Sequence, residues 1–262
     1  MTAAQIYGTL RAALTAALAE EGLDGAVTVS ARGLTPAEAI GHPGRTDYPI
    51  LSGKEVMLMA DFRGAKGQAF TDAPVAFHGS LREVLALDPE EDPHSRGLFV
   101  AVLNAVMAHL GRADNTVHCR DGGPEFCARH MADWVGETYG NPRIALVGFQ
   151  PALIGALSQR FPLKVLDLNP ENIGRTKDGC PVLDGKADRQ GAVDWADLVL
   201  CTGSTLCNGT IVDYLELDKE VVFFGTTLSG AAPILGLKRM CFADKSLEEK
   251  SSISLAFPHK TV

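Results

Sequence analysis

Apolar residues fall on two different rhythms along this chain, and the change between them divides it. At the start, Ile6, Leu10, Leu14 and Leu18 recur every four residues, the spacing of a stripe on one helix face. Ala26-Val-Thr-Val-Ser30 then alternates apolar with polar, as a half-buried strand does. A stretch rich in Gly, Pro and charge follows over 33–49, and Val56–Met59 and Pro74–Phe77 read as further strands. Leu81–Leu87 has helical spacing. Asp92-Pro-His-Ser95 reads as a turn with Ser95 as N-cap, and it predicts a helix from Arg96 to Leu110. Helices and strands without strict alternation predict an α+β domain over residues 1–112.

A helix is predicted from residue 122 to Tyr139, stopped by Gly140-Asn-Pro142, and beyond it the rhythm becomes regular. Ile144–Val147, Lys164–Leu168, Asp197–Cys201, Glu220–Phe224 and Arg239–Phe242 are short apolar runs. Helical stretches separate them, one from Pro151 to about Phe161 and another from about Gly209 to Leu217. Fully apolar strands alternating with helices predict a parallel sheet covered on both faces. The expected fold class is therefore α/β, with a Rossmann-like parallel domain over residues 113–262 behind the α+β one.

Composition narrows the function classes. The chain of 262 residues is 46% hydrophobic and 21% charged, ordinary values for a globular protein. Its formal net charge is −8, with cations scattered and no basic run. A track for nucleic-acid phosphates needs clustered Lys and Arg, so nucleic acid is not an expected partner. No apolar run approaches the ~20 residues of a membrane span, so no membrane partner is expected. Arg11, Glu20 and Glu21 interrupt the first helix in a way that a signal peptide would not tolerate, and a cytoplasmic location is expected. In that compartment disulfides are disfavoured. The ordinary reading of the six cysteines is then small buried hydrophobes. The sequence leaves a homo-oligomer open.

In an open parallel sheet, ligands bind beyond the carboxyl ends of the strands, where the strand order reverses. The polar residues concentrate there. The first strand of the second domain leads into Gly148 and Gln150, and the second ends at Asp167 with Asn169 beyond it. The third runs into Thr202, Gly203, Ser204 and Thr205, then Asn208, Gly209 and Thr210; the fourth runs into Gly225, Thr226 and Thr227. Glycine allows close backbone approach, helix N-termini offer unpaired N–H groups, and hydroxyls add donors, a set that suits a small polar or anionic ligand. A single such loop is only turn and cap chemistry; several at one sheet edge point to a site. The first turn lacks G-x-G-x-x-G and places Phe149 where a pyrophosphate would approach, so NAD(P) is disfavoured.

Two further constellations stand out. His118, Cys119, Cys127 and His130 fall within thirteen residues, donor types that suit a divalent or heavy metal ion, though the spacing is not that of a zinc finger. With Pro124 opening a helix, Cys127 and His130 share a face while Cys119 stays on the preceding loop. Cys201 and Cys207 bracket the Thr-Gly-Ser-Thr loop and are further candidate metal ligands; the alternative is packing, and Cys207, near a helix N-terminus whose dipole would lower its pKa, is a less favoured candidate nucleophile. In the first domain, Arg63, Lys66, Gln68 and Thr71 lie between strand-like segments. They read either as a charged hairpin tip or as groups reaching across a domain interface to the ligand.

Leu146–Pro151, Asp167–Pro170, Cys201–Thr210 and Gly225–Thr227 resemble the prokaryotic family described as "putative heavy-metal chelation". Gly53–Glu55 and Arg63–Asp72 resemble the domain that precedes it there. The resemblance implies an enolase N-terminal-like domain followed by a Rossmann-like one with a cleft between them. It also implies a link to heavy-metal or cobalamin-type cofactor metabolism. Three functions follow as expectations: binding of a metal ion or a metal-bearing or anionic cofactor in that cleft; an enzyme, a transferase or lyase acting on a small phosphorylated or carboxylated metabolite; and, least favoured, a nicotinamide-dependent oxidoreductase.

Overall fold

The computed structural model describes residues 1–23, 25–52 and 55–243. Gly53 and Lys54, from the first motif of the N-terminal part, lie outside the described residues. Helix α1 (Ala3–Glu20) begins on a capping box in which Thr2 and Gln5 bond reciprocally. Its stripe of Ile6, Leu10, Leu14 and Leu18 is buried, as the four-residue spacing predicts. Strand β1 (Thr28–Gly33) and the short helices α2 (Pro36–Ile40) and α3 (Pro49–Ser52) follow. Then come β2 (Val56–Phe62), β3 (Ala65–Thr71), β4 (Phe77–Ser80), α4 (Leu81–Leu85) and α5 (Pro93–His109). The four strands form an antiparallel sheet in the order β3-β2-β1-β4.

Strand β3 has no counterpart in the apolar pattern. It carries Gly67, where a Cβ would lie 2.1 Å from the Ala105 nitrogen and 2.4 Å from the Ala101 carbonyl oxygen of α5. Helix and strand pack backbone to backbone there, and only glycine fits. Ser95 is not the N-cap of α5; Asp92 is, accepting from the N–H groups of His94 and Ser95 at 3.1 and 3.0 Å.

Helix α6 (Gly123–Tyr139) leads into the second sheet. Its elements are β5 (Ile144–Val147), α7 (Pro151–Ser158), β6 (Leu163–Asp167), β7 (Thr176–Lys177), β8 (Cys180–Asp184), α8 (Arg189–Trp195), β9 (Leu198–Thr202), α9 (Thr205–Asn208), a 3-10 turn (Thr210–Tyr214), β10 (Glu220–Phe224), α10 (Ala231–Leu235) and β11 (Arg239–Met240). The order is β11-β10-β9-β5-β6-β8-β7, all parallel except the β7–β8 pair. The chain starts in the middle at β5, moves outward through β6 to β8, then crosses to β9 and moves outward the other way. The order therefore reverses between β5 and β9, and a crevice opens at their carboxyl ends. The helix expected over 209–217 is instead the short α9 and the 3-10 turn, because Gly209 takes the left-handed conformation, φ 80°.

Helix α5 joins the two sheets. Residues Leu98 to Val106 are fully or almost fully buried, packed on β2 and β3 on one side and toward α9 and α10 on the other. A single apolar cluster therefore holds Leu58, Ala60 and Phe62 of the antiparallel sheet together with Val147, Cys201 and Phe223 of the parallel one. Among the described residues, no helix is long and apolar enough to cross a membrane.

Candidate functional site

A cavity of about 500 Å³ opens at the carboxyl edge of the parallel sheet. Its floor is the sheet edge; its other wall comes from Tyr48, Glu55, Met57, Phe70 and the start of α6. Gly148, Gln150, Asp167, Asn169, Thr202, Gly203, Ser204, Thr205, Asn208, Thr210, Gly225, Thr226 and Thr227 all line it. Gly148 has φ 100°, and a Cβ there would lie 2.8 Å from Thr202 Cγ2, so β5 and β9 converge tightly where the strand order reverses.

Much of this polar edge is occupied with holding itself together. Asp167 accepts from Phe149 N and Asn169 N at 2.9 Å each and from Asn172 Nδ2 at 3.1 Å. It pins two loops, where a dinucleotide site would direct such an acid at a ribose. Thr205 Oγ1 donates to the Thr202 carbonyl at 2.8 Å, and Thr210 Oγ1 to Asn208 Oδ1 at 2.7 Å. Thr227 Oγ1 accepts from Phe70 N at 3.0 Å, tying β3 to the loop after β10. Ser204 Oγ lies 3.0 Å from Thr202 Oγ1, its one side-chain hydrogen bond among the described residues, which leaves it bonding capacity toward the cavity.

Five predicted ligand contacts lie elsewhere. Arg63 and Gly64 form the two-residue turn between β2 and β3, both with positive φ (53° and 88°), as a tight hairpin requires. Lys66, beside that turn, pairs with Asp61. Neither cation lines the cavity. Gln68 is buried and accepts from His118 N at 2.7 Å, and Thr71 is buried and accepts from Ala73 N at 3.0 Å. They brace the cleft wall without lining it, as does Gly209 behind α9.

The cysteines divide sharply. Cys201 and Cys207 are packed in the apolar cluster at 0% and 3% exposure. Burial pushes both thiols up, that of Cys207 to about 12, so desolvation outweighs the acidification expected from the helix terminus beside Cys207. His130 lies between the rings of Phe126 and Phe242, at 4.2 and 5.9 Å between centroids, away from the cavity. Cys201, Cys207 and His130 are therefore packing residues, contrary to their reading as metal ligands.

Cys119, Cys127 and His118 do line the cavity, joined by Cys241, which follows β11. The Sγ atoms of Cys119 and Cys127 are 3.7 Å apart, and no cysteine is in a disulfide. The Cys127 thiol, then burial, push the Cys119 thiol well above the usual range, and Cys241 adds to the effect. His118 Nδ1 is 2.6 Å from the Cys119 carbonyl oxygen. A carbonyl only accepts, so Nδ1 carries the proton and Nε2 keeps its lone pair. Burial lowers the His118 pKa, which favours that neutral form. Donating one ring N–H to a carbonyl while the other nitrogen stays free is the usual posture of a ligating histidine.

Two thiolates on one tetrahedral ion with bonds of about 2.3 Å sit roughly 3.8 Å apart, so the Cys119–Cys127 pair fits the bite of a soft or borderline metal. Among the described residues, no three His, Cys, Asp or Glu side chains converge as a complete metal cage. The Cys119 and Cys127 thiols stand side by side on the cavity wall. Sequence reasoning missed Cys241, although the rule that marked the other strand-end loops applies equally after β11. It also passed over Glu55 as a contact. Glu55 lines the cavity and still reaches solvent. Burial by the surrounding protein, then Asp167 and Asp72, raise its carboxyl to about 7.

A parallel sheet, a strand-order reversal and a thiol-bearing cleft define an α/β protein with a cavity at its switch point. Comparison with known proteins adds a family. The model of the DUF364 family, described as "Putative heavy-metal chelation", matches residues 133–237, so the resemblance read from the sheet-edge loops holds over that stretch. The fold is similar to that of a DUF364-family protein of unknown function from Pyrococcus horikoshii. The two share 13% identity and a TM-score of 0.50 over 85% of this chain and 79% of that one. A second DUF364-family protein of unknown function, from Desulfitobacterium hafniense, aligns at 13% identity and a TM-score of 0.48 over 69% of this chain and 72% of that one. No curated protein matches.

Proposed function

We propose that the cleft binds a soft or borderline metal ion, free or within a small metal-bearing molecule, with the Cys119 and Cys127 thiolates as its ligands. The observation that carries this reading is the 3.7 Å Sγ–Sγ separation on the cavity wall. His118 and Cys241 line the same cavity as candidate further donors, and the open side of the shell faces the cavity, where a bound molecule supplies the rest. The reading treats residues 1–112 and 113–262 as an enolase N-terminal-like and a Rossmann-like domain, with the cleft between them. Thiols bind metal as thiolates, so binding releases protons and strengthens as pH rises. Titrating the reduced protein with Cd²⁺ and following thiolate-to-metal charge-transfer absorbance tests it. Cys127→Ser should weaken binding at least about tenfold, whereas Cys207→Ser should leave it unchanged; equal binding by all three proteins refutes the assignment.

A second reading, catalysis on an anionic metabolite, is favoured by Glu55, a carboxyl raised to about 7 inside a cavity, the signature of a general acid or base. It requires turnover of a metabolite by the metal-free protein, lost in Glu55→Gln.

A further inference from the structure

Two cations line the cleft that no sequence motif pointed to: Lys186 in the loop after β8 and Arg189 at the start of α8. The sheet order fixes their place. Strand β11, which leads to Cys241, is five positions from β8. At ~4.8 Å between neighbouring strands, the loops after them are roughly 24 Å apart. The thiols and the cations therefore mark opposite ends of one cleft.

The loop that carries the cations is fixed from within. Asp184 Oδ1 accepts from Lys186 N at 2.7 Å and Ala187 N at 3.1 Å, and Asp188 Oδ2 accepts from Asp184 N at 3.0 Å. Gly185 N donates to the Asp167 carbonyl at 2.8 Å, anchoring the loop to the neighbouring strand end. The nearest carboxylates are thus engaged with backbone N–H groups. Arg189 Nη1 donates to the Asp213 carbonyl oxygen at 3.2 Å, across the cleft to the 3-10 turn. Among the described residues, neither Lys186 nor Arg189 has a carboxylate oxygen within 4.0 Å, although the Asp213 side chain also lines the cleft. Elsewhere in this acidic chain Arg45, Arg143, Arg160, Lys177 and Lys238 each hold one. Ser204 and Thr210 line the same cleft. The Asp184 carboxylate is close enough to feel the Lys186 charge, but neither cation is in a direct ion pair, and such cations in a concave site attract an anion.

We infer that Lys186 and Arg189 form an anion subsite, and that the cleft takes an elongated organic ligand with phosphate or carboxylate groups at the cations and its metal-bearing end at the thiols. The metal-bearing end rests on the function proposed above; the anion subsite does not. The test is calorimetric titration of metal-free protein with pyrophosphate and with citrate, in the wild type, Lys186→Ala and the Lys186→Ala/Arg189→Ala double variant. Each lost cation should weaken anion binding about tenfold or more, while Cd²⁺ absorbance titrations stay unchanged. The probe that binds more tightly identifies phosphate or carboxylate as the preferred group. Lys186 is exposed, so its substitution leaves the fold intact and keeps the test open if Arg189→Ala does not fold. Failure of either probe to bind the wild type, or equal binding by wild type and Lys186→Ala, overturns the subsite. Loss of Cd²⁺ binding with anion binding intact instead removes the metal reading alone.

Discussion

Asn104 holds the two sheets in register, and one atom of it can be changed almost without changing its shape. It is 0% exposed in the middle of α5. Its Nδ2 donates to the carbonyl oxygens of Gln68 at 2.8 Å, Thr227 at 2.9 Å and Thr226 at 3.3 Å, and its Oδ1 accepts from Gly230 N at 2.7 Å. Asn104→Asp keeps the acceptor but turns the donor into an oxygen facing three oxygens. The protonated acid can satisfy only one of them. A buried acceptor left facing another oxygen costs about 1–3 kcal/mol, so the variant should lose about 3 kcal/mol even at low pH. For a chain of this size that is a fall in Tm of roughly 6–12 °C. Burial without a cation holds the folded-state pKa of the new acid above its unfolded value of about 3.9. Below about pH 4 both states are protonated and the deficit is smallest. As pH rises the unfolded state ionises first, and stability falls by about 1.4 kcal/mol per pH unit until the folded pKa is passed. Urea unfolding of wild type and variant at about pH 4 and about pH 7 measures this difference directly. A variant within about 1 kcal/mol of wild type, or a deficit that does not grow with pH, would show that Asn104 does not bridge the sheets as described.

Three other outcomes follow from the geometry. Gly148→Ala puts a Cβ 2.8 Å from Thr202 Cγ2 at φ 100°; calorimetry should find it destabilised by about 1–3 kcal/mol, and an unchanged midpoint would contradict the tight crossing. Glu55 ionises less readily in the folded protein, so its unfavourable contribution is absent below about pH 4.5 and grows as pH rises through about 7. Glu55→Gln should therefore gain stability relative to wild type between those pH values, and a constant difference would argue against a raised carboxyl. Cys201 is buried in the shared core, so it should resist alkylation in the native protein under conditions that modify Cys127; equal labelling by mass spectrometry would argue against that packing.

The parallel sheet was legible because its strands are buried on both faces, and runs such as Ile144–Val147 and Leu198–Cys201 advertise that in the sequence. The loops beyond them were legible for the same topological reason. Strand β3 was not, because Gly67 and Lys66 suit a close helix contact and a hairpin turn, neither of which leaves an apolar signature. Strand β8 was hidden by Pro181, which breaks its apolar run. Among the candidate ligands, sequence could gather His118, Cys119 and Cys127 but could not separate them from Cys201, Cys207 and His130. That separation depends on which side chains face a cavity and which face Phe126, Phe242 or the core. The cations were misassigned for a related reason. Arg63 and Lys66 were conspicuous in sequence yet sit at a hairpin, whereas Lys186 and Arg189 reach the cleft from an unremarkable loop.

The central claim is that Cys119 and Cys127 hold a metal at the wall of this cleft. Crystals of the reduced protein grown with Zn²⁺ and measured at the zinc absorption edge test it most directly. The account predicts an anomalous peak about 2.3 Å from both Sγ atoms, with the remaining coordination open to the cavity. Zinc found only at surface carboxylates, with the two thiols unliganded, would contradict it.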